Sequence, residues 1–95
     1  MSIGMIMEGP LTQAQYEQVR DEVAPNNVAP AGLLYHAAGP ADNGWFVSEV
    51  WESKESLDLF FKEKLGQALA KAHINIQPKF FQVFNTMKAK TLQPV

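Results

Sequence analysis

The sequence predicts an α+β domain of the ferredoxin-like βαββαβ type, in which a four-stranded antiparallel sheet carries two helices on one face. Two observations predict it. Apolar residues recur with the period of a strand or of a helix in the order strand, helix, strand, strand, helix, strand. The chain has 95 residues, which is the size of one small domain. We therefore expect a single domain over residues 1–95, with a loose C-terminal tail at 88–95.

The first strand and the first helix are predicted by local patterns. Residues 2–8 place apolar side chains at period two, which predicts a strand, and a Gly-Pro pair ends it. Thr12 is suited to cap the helix, because Gln15 three residues later can return a hydrogen bond to the Thr12 backbone. A proline disfavours helical geometry in the residue before it, so the helix is expected to end just before Pro25.

An aromatic hairpin is predicted in the middle of the chain. Residues 33–38 and 45–51 are interpreted as two strands, since aromatic and β-branched residues favour strands. The turn-forming residues 39–44 between them are interpreted as the hairpin loop.

The register of this hairpin determines which polar residues meet. A loop at residues 40–43 puts Leu34 opposite Glu49 and makes His36 a diagonal neighbour of Glu49 on one face. The same face also carries Trp45 and Trp51, because side chains alternate along a strand. The opposite face is expected to be mostly core and carries Leu33, Tyr35, Ala37, Phe46, Ser48 and Val50.

The second helix and the last strand complete the predicted order. Ser53 is suited to cap a helix of about 18 residues whose wide apolar stripe runs from Leu57 to Ala72. Residues 79–87 are predicted as the last strand. Apolar side chains lie on both faces of this strand and of the strand at 45–51, whereas a solvated face would be polar. We therefore expect a second copy of the chain to cover the exposed sheet face in a twofold homodimer.

Composition excludes several classes of function. The chain has eight basic and ten acidic residues, a net charge of −2 and a single arginine, Arg20, so neither nucleic acid nor a membrane is an expected partner. Cysteine is absent, which excludes disulfides, a thiol nucleophile and cysteine metal ligands. The first residues lack the pattern of a secretory signal, and no apolar run reaches the roughly 18 residues of a membrane helix. We expect a cytoplasmic location.

Three other modules with the same order of elements do not fit the residues. An RNA-recognition module needs basic and aromatic residues on its central strands, whereas the first strand has no aromatic residue. A metal-transfer module needs paired cysteines. Acylphosphatase needs an arginine in a glycine-rich loop after the first strand, whereas Arg20 is expected inside the first helix.

A short pattern at the second helix carries a resemblance to a known family. Residues 50–55, VWESKE, enter this helix, and Phe60 and Phe61 follow inside it. Together with the order of elements over residues 2–87, this pattern resembles the dimeric α+β barrel superfamily, which includes antibiotic-biosynthesis monooxygenase-like domains. The resemblance implies that two subunits pack their sheets face to face. It also implies a function among cofactor-independent oxygenases, haem-degrading enzymes, isomerases and lactonases, without selecting one.

The histidines of this chain do not match the positions at which members of this superfamily carry their functional histidines. Haem-degrading members use a histidine of the second helix, and His73 lies at the end of that helix here. Many monooxygenases of the family carry a histidine inside the helix, where residues 57–61 read LDLFF instead. His73 has no second histidine or carboxylate at ligand spacing, and the helix dipole alone accounts for a histidine at a helix C-terminus. We expect no metal and no cofactor.

His36 and Glu49 are the candidate catalytic pair. A carboxylate beside an imidazole fixes its tautomer and raises its basicity, so the pair is suited to abstract a proton from an activated carbon or a phenol. The alternative is a buried histidine whose hydrogen bond is purely structural.

Aromatic residues are the candidate substrate-binding residues. Trp45, Trp51 and Phe60 are suited to line a pocket for a planar aromatic ligand, and Tyr35 is suited to donate a hydrogen bond to it. The alternative is that these rings form core or dimer interface. Tyr16 is also suited to donate a hydrogen bond to the ligand, although it is already explained as one half of a hydrophobic staple at the start of the first helix.

These observations together predict a protein that binds a small hydrophobic or aromatic molecule. If it is an enzyme, it is expected to be a cofactor-independent monooxygenase or an isomerase. The alternative is a non-catalytic module for small-ligand binding or for dimerisation.

Overall fold

The computed structural model describes residues 1–88 and has the predicted ferredoxin-like architecture. Its strands are β1 (Ile3–Gly9), β2 (Leu33–Ala41), β3 (Gly44–Trp51) and β4 (Lys79–Gln82). They form one antiparallel sheet in the order β2-β3-β1-β4. The helices are α1 (Gln13–Val23), α2 (Lys54–Phe60) and α3 (Gly66–Lys71). Of the tail predicted at 88–95, residues 89–95 lie outside the described part of the chain.

The start of α1 has the predicted capping box. The Thr12 Oγ1 atom accepts a hydrogen bond from the Gln15 backbone N–H at 3.1 Å, and Gln15 Oε1 accepts one from the Thr12 backbone N–H at 2.9 Å. The Gln15 amide also donates to the backbone oxygen of Ala72 at 2.9 Å, which ties the first turn of α1 to the end of α3. At the other end, Ala24 caps the helix immediately before Pro25, as predicted.

The hairpin turn is shorter than predicted. β2 continues through Pro40 to Ala41, so the turn consists of residues 42–43 alone and the predicted loop at 40–43 is wrong. Proline can lie in this strand because β2 is at the edge of the sheet, where one side makes no ladder hydrogen bonds.

Glycine is required where β3 begins. Gly44 adopts a φ of 115°, which a residue with a Cβ atom rarely adopts. A Cβ atom at this position would also lie 2.5 Å from the backbone oxygen of Gly9 on the neighbouring strand. The tight turn therefore depends on Gly44.

The short turn changes the register by two residues. His36 faces Glu49 directly, where the predicted loop had placed Leu34. A shift of two residues keeps every side chain on its own face of the sheet. His36 and Glu49 therefore still share a face with Trp45 and Trp51.

A β-bulge interrupts β2 near its start. Leu33 pairs with Trp51 and Tyr35 pairs with Val50, which leaves Leu34 as the extra residue between them. Leu34 is exposed, whereas Leu33 packs against the core. Leu33 is thus on the same face as His36, contrary to the prediction, because the bulge breaks the simple alternation.

Only one face of the sheet is covered by the helices. The core that lies between this inner face and the helices contains Met5, Met7, Leu11, Trp45, Val47, Trp51 and Leu57. The opposite, outer face was expected to be mostly core, but its side chains are partly exposed, and Tyr35 is 54% exposed. The outer face is therefore apolar, and nothing within residues 1–88 covers it.

The second helix is continuous but not uniform. α2 and α3 are joined by a π-helical segment, Phe61–Leu65, so that residues 54–71 form one helical stretch of the predicted length. Ser53 caps its start by accepting a hydrogen bond from the Ser56 backbone N–H, as predicted. None of the helices within residues 1–88 has both the length and the apolar character that a membrane crossing requires.

The last strand is shorter than the predicted range of 79–87. β4 comprises Lys79–Gln82 and pairs with residues 3–6 of β1. One further backbone bond joins the Val83 N–H to the oxygen of Ser2 at 3.2 Å. β1 begins at Ile3, so residues 84–88 lie beyond the end of the strand that β4 pairs with.

Candidate functional site

A cavity of about 330 Å3 lies between the inner face of the sheet and the helices. Its wall is mainly apolar, with residues from β1, β2, β3, α1, the second helix and the connections after α1 and α3. The principal apolar residues are Met5, Met7, Val19, Val23, Val47, Phe60, Leu65, Leu69 and Ile74. This volume is near the lower end of the range of small-molecule sites. Three polar residues of the wall, Tyr16, His36 and Glu49, are hydrogen-bonded to one another.

The structure brings the predicted catalytic pair into direct contact. His36 Nδ1 lies 2.6 Å from Glu49 Oε2. Glu49 is buried in β3, with 7% of its surface exposed, whereas the His36 side chain on edge strand β2 is 32% exposed. Both side chains face the helices near the edge of the sheet. The Glu49 carboxylate is in the interior, and the His36 imidazole is at the cavity wall.

Tyr16 is a third member of this arrangement, and the sequence interpretation did not place it beside His36. Its hydroxyl lies 2.6 Å from His36 Nε2, and its ring stacks near the imidazole with a centroid separation of 6.0 Å. The staple position had accounted for the ring of Tyr16 but not for its hydroxyl group. The available signal was chemical: a tyrosine hydroxyl usually finds a hydrogen-bond partner when its ring is packed.

The buried carboxylate has a second donor on the opposite side. The Trp51 indole N–H donates to Glu49 Oε1 at 2.9 Å. Trp51 is fully buried in the core, with its ring 5.0 Å from that of Phe60. Both carboxylate oxygens of Glu49 are therefore hydrogen-bonded, which is the condition for burying a charge at acceptable cost.

The four residues predicted to bind substrate have different locations. Phe60 lines the cavity, as predicted. Trp45 and Trp51 belong to the core rather than to the cavity wall, because large rings bury the most apolar surface when they are packed on all sides. Trp45 contacts the site indirectly, with its ring 5.3 Å from that of Tyr16. Tyr35 also borders the cavity, but it pairs with Val50, so the alternation of β2 places its side chain on the outer face.

Tyr16, His36 and Glu49 form a row of two hydrogen bonds, here called the relay. The chemistry of these groups determines which atom donates in each bond. A neutral imidazole has one donor nitrogen and one acceptor nitrogen. A carboxylate only accepts, so Nδ1 donates to Glu49, and Nε2 accepts the hydrogen bond that the Tyr16 hydroxyl donates. Burial raises the pKa of Tyr16; the positive charge of Arg20 opposes the rise, and the negative charge of Glu49 adds to it. Tyr16 therefore keeps its proton at neutral pH.

His73 is remote from this arrangement. It follows α3 with a φ of 58° in the left-handed region, and its backbone N–H bonds the oxygen of Ala70, as is common after a helix C-terminus. The side chain is exposed. Within residues 1–88, no group of three or more histidine, cysteine or acidic residues is placed to hold a metal ion.

The relay can move a proton without any additional group. A proton that reaches His36 Nε2 produces an imidazolium beside the Glu49 carboxylate, and the opposite charge stabilises it. Burial of the Glu49 carboxylate keeps most water away from one side of this pair, whereas the imidazole is 32% exposed. The arrangement suits general-base chemistry on a small apolar molecule.

Several solved structures have the same fold. A candidate antibiotic biosynthesis monooxygenase from Chloroflexus aurantiacus has a TM-score of 0.66 at 17% identity, over 93% of this chain and 98% of that one. SnoaB, a cofactor-independent oxygenase from Streptomyces nogalater, has a TM-score of 0.62 at 14% identity, over 93% of this chain and 98% of that one. The ActVA-Orf6 monooxygenase of Streptomyces coelicolor, solved with nanaomycin D, has a TM-score of 0.57 at 13% identity, over 94% and 92%.

At these identities the similarity shows the fold. The chain has the fold of antibiotic biosynthesis monooxygenase-like proteins, so the resemblance stated from the sequence is confirmed at that level. No protein-family model matches the chain, and no curated protein does.

Proposed function

We propose that the protein binds a small hydrophobic or aromatic molecule in the cavity and uses His36 as a general base, oriented by Glu49, to abstract a proton from it. The reaction class is cofactor-independent oxygenation or isomerisation. The observation that carries the proposal is the relay on an apolar wall: a buried carboxylate holds an imidazole at the edge of a cavity of ligand size.

Proton abstraction alone accounts for chemistry of this kind. Removing a proton from an electron-rich aromatic molecule raises the energy of its electrons, so that it can transfer them directly to dioxygen. An isomerisation begins with the same step and ends with return of the proton to a different atom. SnoaB, a cofactor-independent oxygenase with this fold, supports the oxygenation branch.

Oxygen uptake with 1,4-dihydroxynaphthalene tests the catalytic role of His36. We expect the wild-type protein to accelerate uptake, since the deprotonated hydroquinone gives two electrons to dioxygen far more readily than the neutral form. A positioned general base contributes about 100- to 10,000-fold, so His36→Asn is expected to return uptake to the rate in buffer. The matched control is His73→Asn, which makes the same change at the exposed histidine and is expected to keep the wild-type rate.

A non-catalytic role is the second candidate function, and one observation favours it. Both ring nitrogens of His36 are already engaged within the protein, with Glu49 and with Tyr16. This is also the arrangement of a structural histidine in a protein that only binds its ligand or only dimerises. Binding of the naphthalene diol without acceleration of oxygen uptake would support the ligand-binding module and contradict the catalytic proposal.

We propose further that a second copy of the chain covers the outer face of the sheet. This face presents Tyr35, Phe46, Val50 and Phe81, and side chains of this size on a solvated sheet face usually mark an interface. Sedimentation at micromolar concentration is expected to give a dimer for the wild type and a monomer for Val50→Lys. Leu59→Lys, at an exposed position of α2, is the control that should remain dimeric. A wild-type monomer would contradict this proposal.

We also propose that the protein acts in the cytoplasm. The absence of cysteine is compatible with a reducing compartment but does not require one. The location of a fluorescent fusion in its host cell tests this, and export of the fusion would contradict it.

A further inference from the structure

We infer that the Tyr16 hydroxyl, acting for His36, is the atom that meets the ligand, and that the site therefore selects aromatic ligands carrying a hydroxyl group. This inference rests on the proposed function and narrows its substrate class to phenols and enols. The sequence had pointed to His36 as the base that takes the proton from the substrate, without an intervening residue.

The first step of the argument is the occupancy of His36. Its Nδ1 bonds Glu49 Oε2 at 2.6 Å, and its Nε2 bonds the Tyr16 hydroxyl at 2.6 Å. A ligand in the cavity thus finds no ring nitrogen of His36 open to it. The group bonded to Nε2 is the hydroxyl of Tyr16, which is itself a residue of the cavity wall.

The second step is the direction in which Tyr16 can still bond. Its proton is committed to His36 Nε2, since the carboxylate of Glu49 requires the other nitrogen to be the donor. A phenolic oxygen that donates its proton keeps the capacity to accept. Tyr16 therefore offers an acceptor to the ligand, and the complementary ligand group is a donor such as a hydroxyl.

The third step is the path of the proton. The ligand O–H bond breaks as a new O–H bond forms on Tyr16, while the original Tyr16 O–H bond breaks and an N–H bond forms at His36 Nε2. The ligand is left as a phenolate or an enolate, and the imidazolium is paired with Glu49. Charge and protons balance, no electrons are exchanged, and no additional reactant is needed.

Two probes that differ in one hydrogen-bond donor test this selection. 1-Naphthol carries a hydroxyl group, whereas 1-methoxynaphthalene keeps the oxygen as an acceptor and loses the donor. Equilibrium dialysis at mildly alkaline pH gives the dissociation constant of each probe for the wild type and for Tyr16→Phe, which keeps the ring and removes the oxygen. Tyr35→Phe is the matched control, because it removes a hydroxyl from the outer face.

The inference is tested by the preference for 1-naphthol, which is the dissociation constant of 1-methoxynaphthalene divided by that of 1-naphthol. One uncharged hydrogen bond corresponds to about a three- to tenfold change in affinity, so the wild-type preference is expected to exceed that of Tyr16→Phe by this factor. Tyr35→Phe is expected to keep the wild-type preference. Equal preferences in the wild type and Tyr16→Phe, with both probes bound, would overturn the inference and leave the proposed function standing. If neither probe binds the wild type, the proposed function fails and the inference fails with it.

A second measurement on the wild-type protein needs no variant. The nitrogen-15 chemical shifts of the His36 ring report which nitrogen carries hydrogen. The inference expects the tautomer with hydrogen on Nδ1, and a shift of Nε2 toward the protonated value when 1-naphthol is added. Hydrogen on Nε2 in the free neutral protein would overturn the inference, because Tyr16 would then be free to donate to its ligand.

Discussion

Replacing Glu49 by glutamine tests the centre of the relay while keeping the shape of the side chain. In the wild type each carboxylate oxygen accepts one hydrogen bond, from Trp51 at 2.9 Å and from His36 at 2.6 Å. The carboxamide of Glu49→Gln has one acceptor oxygen and one donor nitrogen. If the oxygen stays on Trp51, the nitrogen meets His36 Nδ1, which must then give up its proton, so the relay reverses its direction.

The expected loss of stability follows from the two bonds. A hydrogen bond to a charged group contributes about 1.5–3 kcal/mol and a neutral one about 0.5–1.5 kcal/mol, so converting both bonds costs about 2 kcal/mol. Removing a buried charge recovers part of its desolvation cost. We expect a net loss in the free energy of unfolding of about 1–2 kcal/mol, which for a domain of this size lowers Tm by roughly 5–15 °C.

Urea unfolding followed by circular dichroism at one fixed protein concentration measures this loss. The concentration is held constant because dimerisation would add to the apparent stability. Glu63→Gln makes the same chemical change at an exposed position of the second helix and is expected to stay within about 0.5 kcal/mol of the wild type. An unchanged free energy of unfolding in Glu49→Gln would refute the reasoning. It would mean that the buried carboxylate and its two hydrogen bonds make no net contribution to the stability of the fold.

Three further predictions test the turn, the buried phenol and the cavity. Gly44→Ala is expected to lose about 2–3 kcal/mol in urea unfolding because of its positive φ, whereas Gly39→Ala, which has open space around it, should lose less than about 1 kcal/mol; equal losses would contradict the role of the turn. Since the pKa of Tyr16 is raised, the folded state holds more protons than the unfolded state above pH about 10. Stability should therefore fall more steeply with pH in the wild type than in Tyr16→Phe, and parallel curves would argue against the raised pKa. Val19→Phe fills the cavity and is expected to weaken 1-naphthol binding at least about tenfold, whereas Leu59→Phe on the exposed side of α2 should leave it unchanged; unchanged binding in Val19→Phe would place the ligand elsewhere.

The parts of the fold that depend on neighbouring residues could be predicted from the sequence. The Thr12 and Gln15 capping box is an example, because both partners lie within one helical turn and the backbone brings them together. The face shared by His36 and Glu49 was also predicted, since alternation along a strand survives a shift of two residues.

The parts that depend on packing across the molecule could not be predicted. Tyr16 and His36 are 20 residues apart, and their contact depends on how α1 lies over the edge of the sheet. The tryptophans were assigned to a pocket because aromatic residues suit both pockets and cores, and only the observed burial of Trp51 separates the two. Pro40 was assigned to the loop because its position at a sheet edge becomes visible only with the strand order.

β2 keeps one register with β3 from the hairpin turn at its end back to the β-bulge near its start, and His36 lies between these two features. His36 lies five residues before Ala41 and Glu49 lies five residues after Gly44, so the turn acts as the origin from which both are counted. Adding or deleting one residue between His36 and the turn would rotate the imidazole out of the cavity. This constant register does not extend past the β-bulge, because Leu34 is an extra residue between the pairs Leu33–Trp51 and Tyr35–Val50. Other contacts hold the start of β2, including the hydrogen bond from the Glu52 backbone N–H to the Gly32 oxygen at 2.8 Å. The hairpin turn alone sets the position of the relay along the two strands.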